Sequence, residues 1–361
     1  MNCRIFATLA VVLLTVISTL AGSPGQYRTL AAITHGNLTI FPVVGGSDYD
    51  TGRLLTLDEG IRSGAVVVTE AGALHGLMRR GAPAGPVVDA EVNRLVLVNN
   101  SDRPLLLLAG EVVTGGKQDR VIGADRLVPS KSGPIDLSVF CVEPGRWVAQ
   151  SEHFGTMNSL MAQPSVRVPA MAARNQQQVW GEVAAARNAA DMIAPRAAAV
   201  GEVTTSYART MQAPEVQKEI NAVAGDYEGI LRELHKVGAK GVVVAINGKI
   251  TWADVFASDD LLQKYWQKLI RSYAAEAITN GHRGGHVEQQ AAQEFIDQLS
   301  GNREVIETEP GVFRRVEITG NGYKVFTLTA LMPKLDFEVH LAKMSYGPQL
   351  MIPYAAPGVV R

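Results

Sequence analysis

Residues 240–273, KGVVVAINGKITWADVFASDDLLQKYWQKLIRSY, decide the fold. Lys240 to Phe256 reads as two apolar β runs joined by Asn247-Gly248, the dipeptide that a two-residue hairpin turn favours because both central residues need positive φ. Ser258 then supplies an N-cap. After it, Leu261, Leu262, Tyr265, Trp266, Leu269, Ile270 and Tyr273 recur at helical spacing and form one broad apolar stripe. A stripe of that width is expected to face a core rather than to hold a cofactor or partner.

Working outward, Pro214 starts a further helix that carries Val216, Ile220, Val223, Tyr227, Ile230, Leu231 and Leu234 and stops at Gly238. Before it, from Pro169, the chain turns to Ala, Arg, Gln and Glu with helical apolar faces marked by Trp180, Val183, Met192 and Ile193. After the long helix, Val287 to Leu299 predicts a weaker helix, and Val312 to Ala330 a second hairpin turning at Gly320-Asn321-Gly322. The N-terminal stretch is different. Leu38 to Val44, Ala65 to Thr69, Arg94 to Val98, Pro104 to Leu108, Arg120 to Val128 and Ile135 to Val142 read as strands separated by Gly, Asn and Pro turns. One short helix interrupts them, capped by Thr56 with Asp58 and Glu59 at its positive end. The expected class is α+β: a β-rich half over 30–160, then an α+β half over 161–345 with long helices and two hairpins, and a tail over 346–361.

The chain has 361 residues, 47% hydrophobic and 19% charged, enough to bury a sizeable core. Lys and Arg total 34 against 35 Asp and Glu, which removes a global electrostatic case for nucleic acid. Arg4, an apolar run from Ile5 to Leu20, and the small residues Ala21, Gly22 and Ser23 follow the order of a secretory signal peptide. Residues 1–22 are therefore expected to be a cleaved leader, with an N-terminal anchor as the alternative; both place the body outside the cytoplasm. Cys3 precedes the apolar run and so cannot carry a lipoprotein anchor. No later segment reaches spanning length without charges, so no membrane span is expected after leader removal. Only Cys141 then remains, which excludes an intramolecular disulfide, and its valine flanks favour a buried, inert thiol.

Two segments concentrate chemistry. GEVVTGGK, Gly110 to Lys117, superficially resembles a phosphate loop, but five residues separate Gly110 from Gly116 and Gln118 follows the lysine, so the spacing fails. What remains is a Gly-rich turn crowding Glu111, Lys117, Gln118, Asp119 and Arg120, able to grip a carboxylate or phosphate or simply to face water. Cys141 to Trp147 ends a strand with a thiol, Glu143, Arg146 and Trp147. Glu143 and Arg146 read as polar site groups with Trp147 as a wall, or as an ion pair beneath a core Trp. His282 and His286 flank two glycines, and without an HExxH pattern or Cys partners no metal is assigned. No triad motif and no dinucleotide fingerprint appears, and no cofactor follows from the sequence.

The text LLLLAGEVVTGGKQDR, then VPSKSGPIDLSVFCVEPGRW, RNQQQVW and INGKITWADVF, resembles the bacterial and archaeal family named for association with ADP-ribosylglycohydrolases and rhodanese-phosphatases, whose function is unknown. The resemblance runs from about residue 30 to about 345, and Asp119 stands where the family typically has Asn. It brings forward Lys117, Gln118, Arg120, Cys141, Glu143, Arg146, Trp147, Gln178 and Trp180 without assigning roles. Three functions follow as expectations. The first is an extracytoplasmic binding module for a small anionic ligand held by Lys117, Arg120 and Arg146 against Trp147, with Gln118, Gln178 and Trp180 contributing. The second is a hydrolase of a nucleotide-sugar or phosphoester in which Glu111 or Glu143 activates water. The third is a structural or protein-interaction domain in which the two motifs lock the halves together.

Overall fold

The computed structural model describes residues 25–71, 94–157, 160–193 and 204–346. The leader over 1–22 and the tail beyond 346 lie outside the described residues. The Asn247-Gly248 hairpin forms as its dipeptide dictates: Gly241–Ile246 pairs antiparallel with Lys249–Phe256, and both turn residues take positive φ, 51° and 75°. Every residue of the first strand is buried, so the hairpin lies inside a sheet covered on both faces. Among the described residues that sheet has nine strands. On one side of the hairpin lie Leu38–Gly45 and then Tyr27–Thr29, with Ile33–His35 also pairing to Leu38–Gly45. On the other follow Glu338–Ser345, Tyr323–Ala330, Phe313–Thr319 and Asn302–Glu309. Three strands from the N-terminal part thus complete a sheet otherwise built by the C-terminal part, and the pairing crosses the 160/161 division.

Ser258 caps the long helix Asp259–Thr279 by accepting from the Leu261 amide. Its Leu261, Tyr265, Trp266, Leu269 and Tyr273 are fully buried in the main core with Trp252 and Phe256 of the hairpin. On the opposite face of the sheet, Ala292 and Ile296 of the helix Gln289–Asp297 pack with Phe41, Val43, Val243 and Val255. The N-terminal strands form two smaller sheets. One orders Val66–Glu70, Arg94–Asn99, Ile135–Cys141, Arg120–Ile122 and Val112–Val113; the other orders Arg126–Val128, Leu105–Leu107 and Leu55–Thr56. The molecule is a mixed α+β protein, strand-rich at first and helical later.

Local chemistry explains where expectation and structure diverge. The helix starting at Pro214 ends at Ala224 and a second begins at Tyr227, because Gly225 adopts φ 62° and Asp226 caps the new helix by accepting from the Gly229 amide. The run from Arg120 to Val128 divides into Arg120–Ile122 and Arg126–Val128. Thr56 and Glu59 form a complete capping box at the short helix Leu57–Arg62. No helix among the described residues is long and apolar enough to cross a membrane.

Candidate functional site

Strand pairing brings the two motifs together. Cys141 lies opposite Arg120 in the register, and the Val142 amide donates to the Asp119 carbonyl at 3.0 Å, so Gln118–Arg120 and Cys141–Glu143 run side by side. The preceding turn needs its glycines. A Cβ on Gly116, at φ 49°, would sit 2.4 Å from Phe154 Cζ, and one on Gly115 would sit 2.5 Å from Ser151 Oγ. No side chain fits there, which lets the 150–154 segment close over the turn.

Arg146 organises the cluster. Its Nη1 donates to the carbonyls of Gly116 at 2.6 Å and Val148 at 3.0 Å. Its Nη2 reaches the Gly115 carbonyl at 3.3 Å, Asp119 Oδ1 at 3.3 Å and Glu143 Oε2 at 2.6 Å. Glu143 Oε2 also accepts from the Asp119 amide at 3.1 Å, and Asp119 Oδ2 accepts from Ser206 Oγ at 2.7 Å. Burial pushes the Asp119 carboxyl up, and the neighbouring Glu143 charge adds to that while Ser206 opposes it. Arg120 is buried and turned inward, Nη1 donating to the Gln118 carbonyl at 2.7 Å; burial lowers its guanidinium pKa. The buried Cys141 thiol donates to Gln118 Oε1 at 2.6 Å, and burial raises its pKa, which opposes thiolate chemistry.

Lys117, Gln118, Arg120, Cys141, Glu143, Arg146 and Trp147 thus share one cluster, but most of its charges are spent on one another. Two residues face outward. The Lys117 amide donates to Glu70 Oε1 at 2.6 Å, while its ammonium has no partner among the described residues. Trp147 is 57% exposed, and Val148 beside it 77%. Trp147 is therefore not a core residue. Gln178 is exposed and Trp180 half-buried on the helix Gln176–Ile193, and neither hydrogen-bonds to the cluster. The residue of the RNQQQVW run that does is Gln176, whose side chain clamps Cys141 at both backbone groups, 2.8 Å from its nitrogen and 3.0 Å from its oxygen. Glu111 is elsewhere, paired with Lys268 Nζ at 2.6 Å.

Sequence reasoning missed a deeper charge network. Arg167 forks onto Asp254 with both oxygens at 3.1 and 3.2 Å, and its guanidinium stacks 4.2 Å from the Trp252 ring. Tyr273 donates to the same carboxylate, and His340 Nε2 lies 3.2 Å from it. The other ring nitrogen of His340 meets Asp125 at 2.6 Å. The available signal was a single charge inside an apolar strand, Asp254 in TWADVF and His340 in EVHLA. Gly110 makes room for this network: at φ 99°, a Cβ there would lie 2.7 Å from Arg167 Cγ. Gly110→Ala is expected to lose about 2–4 kcal/mol from strain and overpacking, read as a lower midpoint in a urea melt. A midpoint equal to wild type would show that Arg167 yields freely.

Two clefts, each of about 290 Å³ with the open mouth included, lie away from the motif cluster. One runs beside Asp125, Arg174, Arg315 and Thr327; the other lies among the helices near Arg271.

Fold and cluster together define a mixed α+β module whose signature residues form a buried charge lock around a glycine turn. The chain belongs to the family of the ARG and Rhodanese-Phosphatase-superfamily-associated Protein domain, whose model matches residues 26–344. Comparison with curated proteins and with solved structures returns no match.

Proposed function

We propose that the chain is an exported, non-catalytic interaction module in which the GGKQDR and CVEPGRW segments act as a lock that displays Trp147 and Val148 to a protein partner. The observation that carries this reading is the 57% exposure of Trp147 on a loop whose backbone is clamped from below by Arg146. A large aromatic held rigidly in water loses little conformational entropy on docking, and Trp is over-represented among residues that dominate protein interfaces. Lys117 adds a cation near the turn. The small-anion reading draws less support at this cluster, because Arg120 and Arg146 are engaged by Gln118, Gly116, Asp119 and Glu143. A hydrolytic Glu143 is disfavoured by the same Arg146 contact.

The lock and the display separate experimentally. Glu143→Gln is expected to cost about 2–3 kcal/mol, the worth of a charged hydrogen bond, whereas Trp147→Ala leaves the melting temperature within error. A benzophenone-bearing residue at position 147 is expected to crosslink one discrete protein in the native host. The same residue at Met192, itself 83% exposed, serves as the control and gives no such adduct. Identical adducts from both positions, or none from position 147, would sink the display role.

A further inference from the structure

Asn-Gly occurs three times in this chain, at Asn247-Gly248, Asn280-Gly281 and Asn321-Gly322. In this dipeptide a backbone nitrogen reaches the preceding side-chain amide most easily, because glycine puts no Cβ in the path of the attack. Whether the pair reacts depends on how firmly the fold holds both groups. The three copies are held very differently.

At Asn247 both ends of the side-chain amide are engaged. Oδ1 accepts from the Arg283 amide at 2.9 Å and from Asn37 Nδ2 at 3.3 Å, and Nδ2 donates to the Gly281 carbonyl at 2.9 Å. The Gly285 backbone backs this turn so closely that a Cβ on Gly248 would lie 2.8 Å from the Gly285 carbonyl carbon. Asn280 ends the long helix, its Nδ2 donating to the Glu276 carbonyl at 2.9 Å and to Glu276 Oε1 at 2.8 Å. The nitrogen that would attack it is also spent, since the Gly281 amide donates to the Ile278 carbonyl at 3.1 Å. Asn321 has none of these restraints. It and Gly322 are exposed at the tip of the hairpin between Phe313–Thr319 and Tyr323–Ala330, above a base closed by the Gly320 amide donating to the Tyr323 carbonyl at 3.0 Å. Neither the Asn321 side chain nor the Gly322 amide makes a hydrogen bond among the described residues. Around Gly322, at φ 79°, the nearest atom a Cβ would meet is the Tyr346 oxygen at 3.8 Å, so nothing obstructs the attack.

We propose that Asn321 is a self-modification site, deamidated by the Gly322 nitrogen, while the fold protects Asn247 and Asn280. Hydroxide takes the Gly322 amide proton and the nitrogen bonds to Asn321 Cγ. The Cγ–Nδ2 bond then breaks, and Nδ2 leaves as ammonia after taking a proton from water, which returns the hydroxide and leaves a succinimide ring. Water opens the ring at either carbonyl to give aspartate or isoaspartate, with no change of oxidation state. Both products place a negative charge at the hairpin tip. Isoaspartate also inserts one backbone atom beside the Gly322 carbonyl, the acceptor of the Tyr346 amide at 2.7 Å. The site is independent of the Trp147 loop, so either assignment can fail without the other.

The test is incubation of the folded full chain in mildly alkaline buffer, then tryptic digestion in mild acid and mass spectrometry. Cleavage after lysine and arginine separates the three asparagines into peptides 241–249, 272–283 and 316–324. Aspartate and isoaspartate products are expected to accumulate in 316–324 at least about tenfold faster than in the other two, because each hydrogen bond that must first break adds to the barrier. Asn321→Gln should abolish the reaction, since the longer side chain closes the ring poorly. Gly322→Ala should slow it about tenfold or more by placing a methyl group beside the attacking nitrogen. In guanidinium-unfolded chain the three peptides should react at similar rates. Unmodified 316–324, equal rates in the folded chain, a Gly322→Ala rate equal to wild type, or a contrast that persists in guanidinium would each overturn the assignment, the last by removing the fold as its cause.

Discussion

Asp254→Asn is expected to lose about 3–5 kcal/mol of stability at pH 7, a large part of the 5–15 kcal/mol or so that holds a typical protein folded. The carboxylate serves Arg167, Tyr273 and His340 at once, and all of these are buried. An amide keeps the shape and removes the charge, so Arg167 is left as a fully buried cation over Trp252 with no carboxylate. The pH dependence carries a second signature. Burial by itself would raise the Asp254 carboxyl, but Arg167 and then His340 more than offset it and hold it well below the usual carboxylate range. That contribution is present above pH 3.8, the ordinary value, and is lost as pH falls through the depressed one. Burial would likewise lower His340, yet Asp125 and Asp254 raise it to about 9. Its contribution is complete below pH 6.5 and fades as pH rises toward 9. Urea melts across pH 2–9 should therefore show Asp254→Asn losing much of its acid limb below pH 3.8 and much of its alkaline one. A deficit under about 1 kcal/mol at pH 7 would mean that the network contributes little.

How much of this was legible depended on range. The hairpin at Asn247-Gly248, the Ser258 cap, the Thr56 box and the stripe of the long helix follow from neighbours in sequence, and the chain folds as those neighbours dictate. The break at Gly225-Asp226 was readable too, since glycine followed by a capping aspartate interrupts a helix whose apolar spacing continues through it. What could not be read is which distant elements pair. Leu38–Gly45 meets Gly241–Ile246 across some two hundred residues of chain, and nothing local in either strand names the other. The motif cluster shows the same limit. Its members were identifiable, yet only the register Cys141 to Arg120 reveals that the charges satisfy one another and that Trp147 is left outside. That Gln176 is the residue reaching back to the strand follows from the helix beginning there, a boundary that the run of three glutamines does not reveal.

Lys268→Met should produce the other large effect, and one that grows with pH. Lys268 Nζ sits 2.6 Å from Glu111 Oε1 and 2.5 Å from Asp58 Oδ2, with its side chain 3% exposed. Burial opposes its charge, but Glu111 and Asp58 raise its pKa above 10.5, so its contribution is complete throughout the neutral range and is lost only as pH rises through that higher value. Glu111 is already pushed up by burial, with Lys268 pulling it down and Asp58 pushing it further up. Removing the ammonium deletes the pull and leaves two adjacent buried carboxyls that must take up protons to remain folded. A carboxyl raised in this way supports the fold fully below pH 4.5 and progressively less as pH climbs through its folded value. The Lys268→Met deficit should therefore be small at pH 4.5 and reach about 3–5 kcal/mol at pH 7, the cost of breaking a buried pair. Adding Glu111→Gln and Asp58→Asn should restore most of the loss at pH 7, since a buried ionic triad is replaceable by neutral groups at little net cost. A deficit equal at both pH values, and not relieved by the added changes, would reduce Lys268 to its aliphatic stem packed by Tyr265. It would also release Glu111 from the structural role that its place beside Lys268 gives it, and return it to consideration as a general base.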